Sequence, residues 1–279
     1  MKFAVGCELG YRLAGPCTII LNVQAARLPQ QLILSETLDI TPDVSMQSHV
    51  MPESANRYAR LTAGPGEIAI RYGAEVELDV HAVDPAGVRE IDVADLPLEL
   101  LAHLYPSRYC PSDLLKRWPA WEFAHFETGH ARVTAICNWI YEHVEYISGS
   151  SDTLTTARDT LVERAGVCRD FAHLGIAFCR ALNIPARFVS AYALGLEPPD
   201  FHAVFEAYLD GRWYLFDPTR QAALDGLVRI GVGRDAAEVS FATVFGDAEL
   251  TGLSVHIRPE SGDASADVRT THAISTSRA

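Results

Sequence analysis

Arg164-Ala165-Gly166-Val167-Cys168-Arg169-Asp170-Phe171-Ala172-His173-Leu174 is the stretch on which the fold turns. Phe171, Leu174, Phe178, Ala181 and Leu182 keep a helical spacing and Pro185 follows, so a helix is expected from Val167 or Cys168 to about residue 182. A preceding helix is expected over residues 156–164, with Gly166 in the left-handed position past its end. Cys168 then stands at a helix N-terminus, where unpaired N–H groups and the helix dipole favour a thiolate. Those N–H groups also suit an oxyanion, and Gly166 permits close approach of a substrate to the backbone. An arbitrary cysteine is more often a small buried residue than a nucleophile. A nucleophile therefore needs partners.

The partners come from Phe201-His202-Ala203 and Phe216-Asp217-Pro218. Asp210-Gly211 between them is the strongest short hairpin signal in the chain. With that turn, Leu209 pairs with Arg212, and stepping back along both strands sets Asp217 opposite Val204. His202 is two residues from Val204, on the same face and diagonal to Asp217, where Cβ atoms lie about 7 Å apart. An odd loop length would turn one strand over and separate the two. Alone, His202 beside Pro198-Pro199-Asp200 reads as a loop histidine and Asp217 before Pro218 as a turn former. Together they offer an imidazole base and the carboxylate that orients it, and with Cys168 they make a candidate catalytic triad.

Working outward, Ile68, Ile70, Tyr72, Ala74, Val76, Leu78 and Val80 alternate with more polar residues, the period of a half-buried strand. Residues 3–11, 17–25 and 31–40 are further strand candidates, with two shorter ones near His49 and Tyr58. Residues 1–83 therefore read as a small β-sandwich. Residues 84–119 carry Pro85, Pro97, Pro106, Pro111 and Pro119 and read as a connector with short helices at 96–104 and 112–118. Val133, Ile136, Ile140, Val144 and Ile147 form the stripe of another helix starting near Gly129, and residues 186–193 read as a strand. Residues 120–258 are thus expected to form an α+β core of helices packed on an antiparallel sheet. Residues 259–279, rich in Ser, Thr, Ala and Asp, are expected to be a solvated tail.

Composition narrows the partners. A chain of 279 residues, 48% hydrophobic, can bury a sizeable core. Its net charge of −13, without clustered Lys and Arg, argues against nucleic acid. No segment approaches the roughly 20 apolar residues that span a bilayer, and Glu8 and Arg12 interrupt any signal-like run, so a cytoplasmic chain off the membrane is expected. Cys7, Cys17, Cys110, Cys137, Cys168 and Cys179 show no C-x-x-C pairing, which disfavours a zinc ribbon or disulfide framework. Cys168, His173 and His202 likewise lack paired metal-ligand spacing. No metal or cofactor is called for.

Beyond the spacings, the chain resembles the transglutaminase-like superfamily of papain-like cysteine enzymes, and in particular its bacterial branch of candidate cysteine proteases. The matching residues are Gly149-Ser150-Ser151-Asp152, Gly166 to His173 as quoted above, Phe201-His202-Ala203, Phe216-Asp217-Pro218-Thr219 and Gly233-Arg234-Asp235-Ala236-Ala237. Ser107-Arg108-Tyr109-Cys110-Pro111-Ser112 also fits that branch, as does the leading β region. The resemblance implies a papain-like core and acyl transfer through a thioester at Cys168 on a peptide or protein substrate. The acceptor would be water in a peptidase or amidase, or an amine in a transglutaminase. Val204 departs from the aromatic that many relatives carry there, which bears on the shape of the acyl pocket. No D-x-D-x-D-G calcium loop is present. Gly166, Val167, Asp170, His173, Ser151 and Phe201 are candidates to line the cleft or support the triad. Two alternatives remain open. An arylamine-type acetyltransferase is partly echoed by Arg164 to Cys168, against which stand Ala165 and the leading β domain. A non-catalytic peptide-binding module would have no need of all three triad residues.

Overall fold

Short alternating apolar runs dictate the first half of the chain. The computed structural model describes residues 1–260 and 270–277. Seven strands come first: β1 (Lys2–Leu13), β2 (Cys17–Leu21), β3 (Gln31–Thr41), β4 (Met46–Val50), β5 (Arg57–Ala63), β6 (Gly66–Leu78) and β7 (His81–Val83). β6 buries Ile68, Ile70, Tyr72, Ala74, Val76 and Leu78 and leaves Arg71, Glu75 and Glu77 in solvent, as its period of two requires. It pairs antiparallel with β1 along its length, Leu9 opposite Ile70 and Phe3 opposite Val76.

The connector is less helical than expected. Residues 96–104 form a 3-10 segment, Leu98–His103, that buries only Leu100, too narrow an apolar face to hold an α-helix. The second expected helix divides at Lys116 into α1 (Ser112–Leu115) and α2 (Arg117–Glu122). α3 (His130–His143) buries Val133, Ile136 and Ile140, and the chain extends at Val144 into β8 (Glu145–Tyr146). α4 (Ala157–Glu163) starts where the backbone N–H and hydroxyl of Thr156 both donate to the Asp159 carboxylate. β9 (Ala165–Gly166) pairs parallel with β8, and α5 (Cys168–Ala181) follows directly. Then β10 (Ala186–Ala193), β11 (Phe201–Leu209), β12 (Arg212–Phe216) and β13 (Leu227–Gly233) form an antiparallel sheet ordered β12-β11-β10-β13. α5 lies on it, packing Phe171, Leu174 and Phe178 into one core with Phe188 and Phe205.

The end of the chain returns to its beginning. β14 (Ala242–Phe245) pairs with β2, and β15 (Ala248–Pro259) pairs with β1. The sandwich is therefore two four-stranded sheets, β15-β1-β6-β3 and β14-β2-β5-β4. Residues 242–258, expected in the core unit, are strands of the sandwich instead, because the edges of β1 and β2 need partners for their backbone groups. The sandwich core also takes in Tyr192, Leu194, Val228 and Ile230, and the Tyr192 hydroxyl donates to Val23 O at 2.7 Å, so the two units share packing. β16 (Ala273–Ser275) pairs with β7, and Ser275, Thr276 and Ser277 are buried. This part of the expected solvated tail is therefore structural, and residues 261–269 of it lie outside the described residues. No helix among the described residues is long and apolar enough to cross a membrane.

Candidate active site

The hairpin sets the site. Asp210 (φ 47°) and Gly211 (φ 77°) make the tight turn, Leu209 pairs with Arg212, and Phe205 pairs with Phe216. That register brings His202 at the start of β11 to Asp217 just past β12, with His202 Nε2 and Asp217 Oδ2 3.0 Å apart. The residues after Asp217 wrap around its carboxylate. The Thr219 N–H and hydroxyl donate to Oδ1 at 2.9 and 2.7 Å, and the Gln221 and Ala222 N–H groups donate to Oδ2 at 3.2 and 3.1 Å. Burial opposes charge on this carboxylate, but the His202 imidazolium and these bonds hold its pKa below the usual range.

His202 is 2% exposed. Burial alone would keep it neutral; the Asp217 charge and hydrogen bond, together with the Cys168 thiol beside the ring, outweigh that and push it up to about 10. With Nε2 engaged by Asp217, Nδ1 is the nitrogen left for Cys168. Cys168 is the first residue of α5 and is half-buried, whereas Cys7, Cys17, Cys110, Cys137 and Cys179 are buried.

The helix start is braced by the candidates around it. The Asp170 carboxylate, fully buried, accepts the Val167 N–H at 2.9 Å and the Ser151 hydroxyl at 2.5 Å. Arg169 reaches over to the Asp152 carbonyl, so the loop before α4 is tied to the first turn of α5. Gly166 is buried, and a Cβ there would meet Asp170 Cβ at 2.7 Å. It is not the left-handed residue expected; that is Arg164, φ 58°. His173 lies farther along α5, stacked on Tyr109, and its Nε2 accepts the Ala236 N–H at 3.1 Å. Burial lowers its pKa to about 3. It packs the helix against the connector and the turn after β13. Phe201, half-buried beside His202, packs on Tyr192 and Phe241 against the sandwich core.

Tyr146 had no signal in the sequence. The two-residue parallel bridge of β8 to β9 brings its side chain close to Cys168. Burial, and then the nearby Cys168 charge, raise the phenol to about 12, so it stays a proton donor. Asp200, which the sequence showed only as part of the loop before His202, is a surface residue at the start of β11 that accepts the Phe201 N–H at 2.7 Å, and partial desolvation of its carboxylate raises its pKa. No group of three or more His, Cys, Asp or Glu able to hold a metal occurs among the described residues.

A helix-borne cysteine facing a strand-borne His–Asp pair on an antiparallel sheet is the frame of a cysteine-dependent enzyme. Comparison with known proteins bears on the class. A model of the transglutaminase-like superfamily matches residues 123–218, and one of the bacterial transglutaminase N-terminal domain matches residues 1–99. A candidate cysteine protease of Cytophaga hutchinsonii is 42% identical and superposes with a TM-score of 0.94, over 99% of this chain and 97% of that one. An uncharacterized Mycobacterium leprae protein is 30% identical over 149 residues, 49% of this chain and 52% of that protein. One from Mycobacterium tuberculosis is 33% identical over 145 residues, 45% of this chain and 46% of the other. The chain spans about half the length of these curated relatives. It belongs to the transglutaminase-like superfamily, with a bacterial transglutaminase N-terminal domain ahead of the core.

Proposed function

We propose that the chain is a thiol-dependent acyl-transfer enzyme acting on amide groups of peptides or proteins, with Cys168 as nucleophile, His202 as acid and base, and Asp217 as the group that orients His202. The observation that carries this reading is the convergence of a helix-terminal thiol with a buried His202–Asp217 pair held at 3.0 Å. The Cys168 thiolate attacks the carbonyl carbon to form a C–S bond, and the carbonyl oxygen becomes an oxyanion. The Cys168 N–H and the Tyr146 hydroxyl are two donors suited to it. As the C–N bond breaks, the His202 imidazolium gives its proton to the departing amine, leaving a thioester. Water or a primary amine then loses a proton to His202 and attacks the thioester, the C–S bond breaks, and the thiolate returns. Asp170, Ser151, Val167 and Gly166 act as positioning residues that hold the first turn of α5.

The test is to incubate the chain with peptide and protein amides, with and without a primary amine, reading ammonia release, peptide cleavage and amine incorporation in parallel. All turnover is expected to disappear in Cys168→Ala. Turnover retained in that variant contradicts the proposal.

A further inference from the structure

At the far end of the His202 sheet, where the sandwich, the connector and the core meet, lies a cavity of about 570 Å³. Its walls include Ile20, Asn56 and Tyr58 from the sandwich, His103 from the connector, and Arg187 and Arg234 from the core. Arg187 lies at the start of β10 and Tyr192, paired with Phe201, near its end. Five residues of strand, roughly 17 Å, therefore separate the cavity from the triad end of the sheet. Nothing in the proposed chemistry uses it. Its volume and its place between domains are those of a small-molecule site, typically roughly 300–1,000 Å³.

The chemistry of the walls is specific. Arg187 directs Nε to Glu206 and Nη2 to Ser277, and its guanidinium carbon lies over the Trp213 ring, 4.1 Å from its centre, while Nη1 makes no hydrogen bond among the described residues. Arg234 uses Nε on Glu238, and its two terminal nitrogens make none among the described residues. His103 Nδ1 is buried with no partner among the described residues. Burial first, then the charges of Arg187, Arg180 and Arg234, hold that imidazole neutral with a pKa down to about 3, against the opposing charge of Glu206. Both oxygens of Glu238 are taken by Arg234, and Glu53 is exposed at the rim. Behind Asn56, fully buried Asn22 has neither amide atom bonded among the described residues. Each guanidinium is already paired with one carboxylate, Arg187 with Glu206, which Arg229 shares, and Arg234 with Glu238. The N–H groups left over from those pairs and the stranded His103 nitrogen, beside Ile20, Met51 and Val232 in a mixed polar and apolar wall, suit a ligand with acceptor oxygens and an apolar part.

We infer that this cavity is a second ligand site, for a small monocarboxylate bearing a compact apolar group. The planar N–H edges of Arg187 and Arg234 receive the carboxylate, a geometry guanidinium matches better than ammonium, and Ile20 and Val232 receive the apolar group. A free hydrophobic amino acid and the C-terminus of a peptide share this chemistry.

The probe is N-acetyl-leucine, titrated calorimetrically into the full chain, with N-acetyl-leucinamide as its uncharged control. The acid is expected to bind about tenfold or more tighter than the amide, as the loss of charge-assisted hydrogen bonds requires. Arg234→Ala and Ala237→Trp, both at exposed rim positions, are expected to weaken the acid by a similar factor while circular dichroism stays unchanged. Leucine binding as well as N-acetyl-leucine identifies the free amino acid as the source, and Gly-Gly-Leu binding without leucine identifies the peptide terminus. Equal binding of acid and amide, no binding of either at millimolar concentration, or acid binding indifferent to both variants overturns the inference. None of these outcomes depends on Cys168, so the proposed activity stands or falls separately.

Discussion

His202 carries two opposing effects, and the larger sum decides its charge. Burial disfavours the imidazolium; Asp217 and the Cys168 thiol restore it and push the pKa up to about 10. A folded pKa above the ordinary 6.5 means this pair stabilises the fold fully below pH 6.5 and loses that contribution as pH rises through about 10. In the proposed chemistry the same proton goes to the leaving amine, so activity falls on the same alkaline limb. Asp217→Asn removes the charge that offsets burial, and His202 drops. The alkaline limb of kcat/KM is then expected to move toward neutral pH, with a rate loss of roughly 10²–10⁴-fold at pH 7. A pH–rate profile of the variant checks it, and an unmoved limb would detach Asp217 from His202. Cys168, His202 and Asp217 were readable because each sits beside a strong local signal, a helix start or a hairpin. Tyr146 was not, since what brings it to Cys168 is a two-residue bridge between segments with no period of their own.

At the level of elements, α5 and the β11–β12 hairpin hold the three residues of the proposed triad together. Register was legible because Asp210-Gly211 admits one tight turn, and parity then follows along both strands. The end of α4 was not. Arg164 takes the left-handed position despite its side chain, with its guanidinium over the Trp139 ring at 4.5 Å, while Gly166 is reserved for the close approach of Asp170. α5 meets β11 at Gly175, where a Cβ would lie 2.5 Å from Phe205 Cε1. That ring is fully buried and stacks on Phe216 at 5.5 Å, so it has no room to swing away. Gly175→Ala is expected to cost about 1–3 kcal/mol by overpacking, read as a lower urea midpoint at unchanged slope. A midpoint equal to that of the parent would mean that α5 can lift from the sheet.

Across the whole molecule, the two ends of the chain meet in ways that local composition does not announce. β15 lies on β1, and the pairing partner is more than 200 residues away in sequence, Phe3 opposite Pro259. The Ser- and Thr-rich segment at 270–277 looks solvated, yet Ser277 bonds Glu206 and Arg187 while Thr276 bonds Arg229, members of a buried charge cluster. The same global packing sorts the six cysteines. Five are buried, and burial pushes the thiols of Cys7, Cys110, Cys137 and Cys179 upward, while Cys168 alone is half-exposed at a helix N-terminus. The most direct measurement is limited alkylation of the folded chain with iodoacetamide at neutral pH, followed by intact-mass and peptide mass spectrometry. A nucleophilic Cys168 predicts a single fast adduct at Cys168, absent from Cys168→Ala. A first adduct on another cysteine, or equal labelling of that variant, would contradict it.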